Sequence, residues 1–226
     1  MESNRWDRFS PLSGILAVVL WVVGAFILFN DEPESGASPE EVAMYFADNA
    51  SQVLAGAFLF MLGVASFLWF IGTLRAELAQ AEGGVGRLAG IAAAGGVATA
   101  SMLFGMVAPN AAGALQAQED DRGPSPSSAD ALFTLGDGFF IGAEVAAIVL
   151  VVATAVAVLR TRVMPRWVAW VSLLLAVWLV IGPIGWLGLL FGVPAWTVLV
   201  SVLLWLKGST LPGERDATER AEKPAI

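Results

Sequence analysis

Long apolar runs alternate with short polar segments along this 226-residue chain. The runs fall at about 11–29, 53–73, 88–108, 132–159, 167–186 and 189–206. A bilayer core about 30 Å thick takes roughly 20 apolar residues per helix, so each run predicts one transmembrane helix. The expected fold class is all-α: a six-span polytopic bundle over 11–207. It follows a short segment, 1–10, and precedes a tail, 208–226, whose charged, Pro-containing composition predicts disorder. None of the polar segments is large enough for a domain of its own. The first run follows Arg5 and Arg8, as a signal peptide would. It is too long for a cleaved apolar core and no small-residue cleavage site follows directly, so a retained helix is expected.

Local signals refine this picture. Ser38-Pro39-Glu40-Glu41 reads as an N-cap, a first-turn proline and a capping box. With Val42, Tyr45 and Phe46 behind it, a small surface helix leading into the second span is expected. Pro109 to about Asp130 reads as a solvated loop, because it holds Glu119-Asp120-Asp121 and a Gly-Pro-Ser-Pro-Ser-Ser run from Gly123. Gly86, Gly90, Ala94 and Ala98 recur every four residues and predict a close-packing face on the third span. Gly138, Gly142 and Ala146 do the same on the fourth. Gly182-Pro183 and Gly185 to Gly188 predict the turn between the last two spans, with Pro194 kinking the sixth.

Composition confirms the solvent and charge sets the orientation. Hydrophobic residues make up 57% of the chain, with mean hydropathy +0.73. Of the 12 Lys and Arg residues, eleven fall in 1–10, 75–87, 160–166 and 207–226. The other two hydrophilic regions, 30–50 and 110–137, hold eleven acids against Arg122 alone. Basic loops stay cytoplasmic, so both termini are expected inside a plasma membrane. Arg, Ala and Gly abundance resembles a GC-rich bacterial coding bias. The bilayer is the first partner implied. The small-residue faces leave a protein partner or a second copy of the chain open, and a lipid or apolar ligand is a further candidate. No basic stripe is available for nucleic acid.

Phe67-Leu68-Trp69-Phe70 through Leu74-Arg75, then Glu82-Gly83-Gly84-Val85-Gly86-Arg87-Leu88, and Met164-Pro165-Arg166-Trp167 together resemble a group of actinobacterial six-span integral membrane proteins, a domain-of-unknown-function family. The resemblance covers nearly the whole chain. It implies a fold and a lineage, and carries over no catalytic residue.

The chemical inventory is small. With no Cys and no His, thiolate or serine–histidine nucleophiles, zinc–thiolate sites and histidine-ligated haem are excluded. No span carries the Lys a Schiff base needs, and no potassium-filter, P-loop or dinucleotide motif occurs. A non-enzymatic protein with no cofactor and no metal site is expected, acting as an accessory subunit, scaffold or sensor. The alternative is a small permease or binder of an apolar or cationic molecule. Glu144 is the clear acid within a span, and a membrane-depth carboxylate needs water or a partner. Asp137, seven residues earlier, shares its face. Ser101 and Asn110 on the third span are its candidate hydrogen-bond partners. Glu144 then reads either as a packing residue or as a titratable site opening outward. Trp21, Trp178 and Trp196 fall at mid-depth, away from the interfaces tryptophan prefers. They read either as ordinary packing or as walls of an apolar pocket beside Pro194.

Overall fold

Seven α-helices and one π-helical turn make up the computed structural model, which describes residues 9–34, 36–119 and 123–221, without side chains at 182–183 and 208–221. They are α1 (Leu12–Leu28), α2 (Pro39–Glu82), α3 (Arg87–Glu119), α4 (Pro126–Thr161), α5 (Arg166–Val180), α6 (Gly182–Leu187), the π-helical turn Gly188–Gly192, and α7 (Val193–Ala221). No strand occurs among the described residues. Arg5, Arg8, Asp120, Asp121 and Arg122 lie outside them.

Four stretches are long and apolar enough to cross a membrane: Pro39–Glu82, Arg87–Glu119, Pro126–Thr161 and Ile184–Lys207. The chain is an all-helical membrane protein. Leu12–Leu28 and Arg166–Val180 are apolar but shorter. A helix satisfies its own backbone polar groups, which is what hydrocarbon requires. Thr99, Thr154, Ser172 and Thr197 are buried, and each donates its hydroxyl to the carbonyl four residues earlier.

Consecutive helices pack as neighbours from α1 to α5, α2 also touches α4, and α7 returns beside α1. Apolar burial drives little between helices in lipid, so contact geometry decides where they meet. A Cβ placed on Gly24 would lie 2.4 Å from the Phe60 backbone nitrogen, and one on Gly56 would lie 2.6 Å from that of Leu28. α1 and α2 therefore touch backbone to backbone. The last carbonyls of α1 find partners on α2: Tyr45 donates its hydroxyl to the Leu28 oxygen at 2.8 Å, and Gln52 donates to that of Ile27 at 3.1 Å.

Several expectations are corrected. α2 begins at the predicted cap, with Ser38 accepting from the Glu41 amide and Glu41 from the Ser38 amide. No separate surface helix follows it. α2 is one helix of 44 residues, and Val42, Tyr45 and Phe46 are buried in the bundle rather than resting on the interface. The loop expected from Pro109 is mostly helix. α3 continues through Pro109 to Glu119, and α4 starts at Pro126 on a Ser125 cap. The small-residue faces are rotated. On α3, nothing lies within 4 Å of a Cβ on Gly90, and Ala94 is exposed. The close contact is at Gly95, whose Cβ would lie 2.6 Å from the Leu150 nitrogen of α4. On α4, Gly142 does sit close to α3, a Cβ there lying 2.9 Å from the Met102 sulfur, but Gly138 is exposed, and Gly136, Ala143 and Ala147 are the buried small residues.

The chain breaks between α5 and α6 at the extended Ile181, as Gly182-Pro183 predicts, but Gly185 to Gly188 continue in helix. Trp178 staples that break, its indole nitrogen donating to the Ile184 carbonyl at 3.0 Å. The irregularity near Pro194 is the π-helical turn just before it. A proline removes a helical donor and crowds the carbonyl four residues back, and a wider turn accommodates both. α7 runs on to Ala221, through the first part of the tail expected to be disordered.

Candidate functional site

A cavity of about 320 Å³ opens at the end of the bundle where α1 and α3 finish and α4 begins. Phe29 and Glu32 follow α1, Met106 and Asn110 come from α3, and Trp186 and Leu190 come from α6 and the π-helical turn. α4 supplies Phe133, Gly136, Asp137 and Phe140, whose spacing of three, four and seven places them on one helical face. The antiparallel alternation of helices brings these four pieces together. It also sends every described Lys and Arg to the opposite end. A second cavity of about 300 Å³ shares Glu32, Phe133 and Asp137, and adds Asp130 and Thr134.

The polar groups here are acceptors without donors. No described residue donates a hydrogen bond to the carboxylate of Glu32 or Asp137, and no basic residue lines either cavity. Glu32 stands in the turn beyond α1, partly buried. Burial, followed by the nearby charge of Asp137, pushes its carboxyl up to about 7, since a carboxylate loses hydration and meets like charge. Asn110 is 5% exposed. Its Nδ2 donates to the Met106 carbonyl at 3.3 Å, and its Oδ1 is buried with no partner. Apolar rings form the rest of the wall: Phe29, Phe133, Phe140 and Trp186. No three acidic side chains gather closely enough to hold a metal ion among the described residues. Carboxylates, an amide oxygen and aromatic faces together suit a cation with an apolar body.

The four polar residues singled out from sequence separate. Asn110 and Asp137 meet in the cavity. Glu144 lies one turn deeper on the Phe133–Asp137–Phe140 face, outside the lining. Its Oε1 is 3.2 Å from where a Gly185 Cβ would stand, so the absence of a side chain there makes room for it. Ser101 is exposed and donates to the Val97 carbonyl of its own helix at 2.9 Å, making no bond to Glu144. Glu32 was missed by the sequence reading. It sits among Asp31 and Glu34 in an acidic loop, and no local motif marks it.

The three tryptophans divide as well. Trp21 and Trp196 are buried and linked by a chain of ring contacts through α2: Trp21 meets Phe67 at 6.2 Å between centroids, Phe67 meets Phe70 at 5.9 Å, and Phe70 meets Trp196 at 6.3 Å. Trp196 also donates to the Ser172 hydroxyl at 2.8 Å. Trp196 and Trp178 line an apolar groove between α5 and α7, beside Gly192 and Ala195, and Trp21 does not reach it. Leu174 at its edge is 70% exposed, so the groove faces the surrounding lipid.

Comparison with known proteins adds no relative: no family model matches the chain, no curated protein is similar to it and no solved structure matches its fold.

Proposed function

We propose that this chain is a non-enzymatic, multi-pass protein of a bacterial plasma membrane that binds a cationic small molecule with an apolar body at its outer face. The single observation behind this reading is the convergence of two unpaired carboxylates, an unpaired amide oxygen and four aromatic rings in one cavity. Buried polar groups are ordinarily satisfied within the protein, so the unpartnered Asn110 Oδ1 and the partly buried Glu32, beside the exposed carboxylate of Asp137, favour a ligand that brings donors and positive charge. The residues for covalent or redox chemistry are missing from the cavity, which favours binding over turnover.

Six spans with both termini cytoplasmic fit this reading. α1 and α5, about 25 Å and 22 Å long, would then cross by local thinning of the bilayer or through their flanking residues. The acidic cavity faces outward in that orientation. Single cysteines replacing Ser127 and Ala217 test it: the first is expected to label from outside intact cells and the second is not. The reverse labelling would place the cavity on the cytoplasmic side.

Binding is tested with the full chain in phosphatidylcholine nanodiscs by calorimetric titration of phenethylamine, which is protonated at pH 7. Saturable binding is expected, with 3-phenylpropionate giving none. The double variant Glu32→Gln, Asp137→Asn is expected to weaken binding at least tenfold. Equal affinity in the double variant would end the proposal.

A further inference from the structure

The cavity does more than attract positive charge, because one of its acceptors is neutral and directional. Asn110 lines it from α3, directly after Pro109. The orientation of its amide is fixed by chemistry: the Met106 carbonyl can only accept, so the Nδ2 group must face it. The contact is 3.3 Å. Gly136 of α4 presses on the same pair, since a Cβ there would lie 3.1 Å from the Met106 oxygen and 3.6 Å from Nδ2. That close approach leaves the amide little room to turn over. Oδ1 is therefore committed to accepting, no protein donor reaches it, and almost none of its surface is open to solvent or to the cavity, so a ligand N–H meets it by parting the side chains around it.

Carboxylates and aromatic rings attract any organic cation, quaternary ammonium included. A directional acceptor is selective. It is satisfied by an N–H group and left buried and unpaired by a fully alkylated nitrogen, and a site built to hydrogen-bond a ligand strongly rejects the analogue that lacks the donor. We propose, resting on the cation-binding reading above, that the ligand class is a protonated amine bearing N–H donors, and that Asn110 is the residue that selects it over a quaternary ammonium. Glu32 and Asp137 hold the charge, the Phe29, Phe133, Phe140 and Trp186 rings hold the apolar body, and Asn110 Oδ1 accepts one N–H.

The test compares phenethylamine with its N,N,N-trimethyl counterpart by calorimetry on the full chain in phosphatidylcholine nanodiscs. Wild type is expected to bind the primary amine at least tenfold more tightly. Asn110→Leu is expected to bring the two affinities within about threefold, mainly by weakening the amine. Asn110→Ser, which keeps a small acceptor and is the fallback if the leucine variant does not fold, is expected to retain part of the preference. Equal binding of both cations to wild type would overturn the inference and leave the cation-binding reading standing. A preference that persists in Asn110→Leu would also overturn it, assigning selectivity to size. If neither cation binds wild type, both readings fall.

Discussion

The two ends of the bundle use their acidic residues in opposite ways. At the end where α2 passes into α3, acids are partnered. Glu77 meets Lys207 of α7 at 3.0 Å, and the Glu82 carboxylate accepts from the Leu88 and Ala89 amides at 3.1 and 2.7 Å. The latter bonds cap α3 across a turn that has Gly83 and Gly86 at positive φ. They satisfy amide groups that no helix can satisfy at its own start, and place negative charge at the positive end of the dipole. At the other end Glu41 does comparable work in the α2 cap, and Asp31 accepts from the Asn30 and Gln52 side-chain amides at 2.9 and 3.3 Å. Glu32 and Asp137 are left without donors in a ring-lined cavity. Partnered acids stabilise a fold. An unpartnered acid costs stability where it is withdrawn from water, as the partly buried Glu32 is, and such groups cluster where a protein binds or reacts.

Three changes break or sharpen that contrast. Glu82→Ala removes the cap and is expected to cost about 1–2 kcal/mol of stability, read from denaturant unfolding in detergent micelles. Glu32→Gln is expected to act in the other sense and in a pH-dependent way. With the folded carboxyl near 7 and the unfolded one in the ordinary range, the folded state binds more protons between those values. Stability contributed by the protonated group is then fully present below about pH 4.5 and is lost as pH rises through about 7. Relative to Glu32→Gln, wild type should lose stability across that window. The titratable groups that share its two cavities, Asp137 and Asp130, are both acidic, and Asp137 opposes its ionisation. A flat difference between the two proteins from pH 4.5 to 8 would show that Glu32 is freely hydrated. Lys207→Ala is expected to have the smallest effect, under about 1 kcal/mol, because both partners are partly exposed and such pairs contribute little. A larger loss would mean that the α2–α7 contact depends on that one pair.

How much of this was legible in the sequence differs by feature. The helices announce themselves by apolar length, and the Ser38–Glu41 cap by residue type, because both signals are local. Helix faces were not legible. In a soluble helix polar residues mark the outside, whereas lipid-facing and bundle-facing positions are both apolar here. Gly90, Ala94 and Ala98 therefore look like a packing face, and yet Gly95 makes the contact with Leu150. Pro109 misled for a related reason. Proline usually ends a helix in water, but within a bundle neighbouring groups tolerate it. Asn110 and Asp137 stood out as polar residues at the ends of apolar runs. Glu32 could be identified only from the fold, since its burial comes from helices far along the chain.

The continuity of α2 carries a mechanical consequence. Forty-four residues make a rod about 66 Å long, against roughly 40–45 Å for a bilayer with its headgroups. Its N-terminal end, at Val42, borders the cavity that holds Glu32 and Asp137, and its C-terminal end carries Glu77 and Glu82. With no break along its length, α2 has the form of an oar held against α1 at Gly56 and Gly63. A rocking of about 5° about its middle swings each tip by about 3 Å in opposite directions, enough to break a hydrogen bond at either blade.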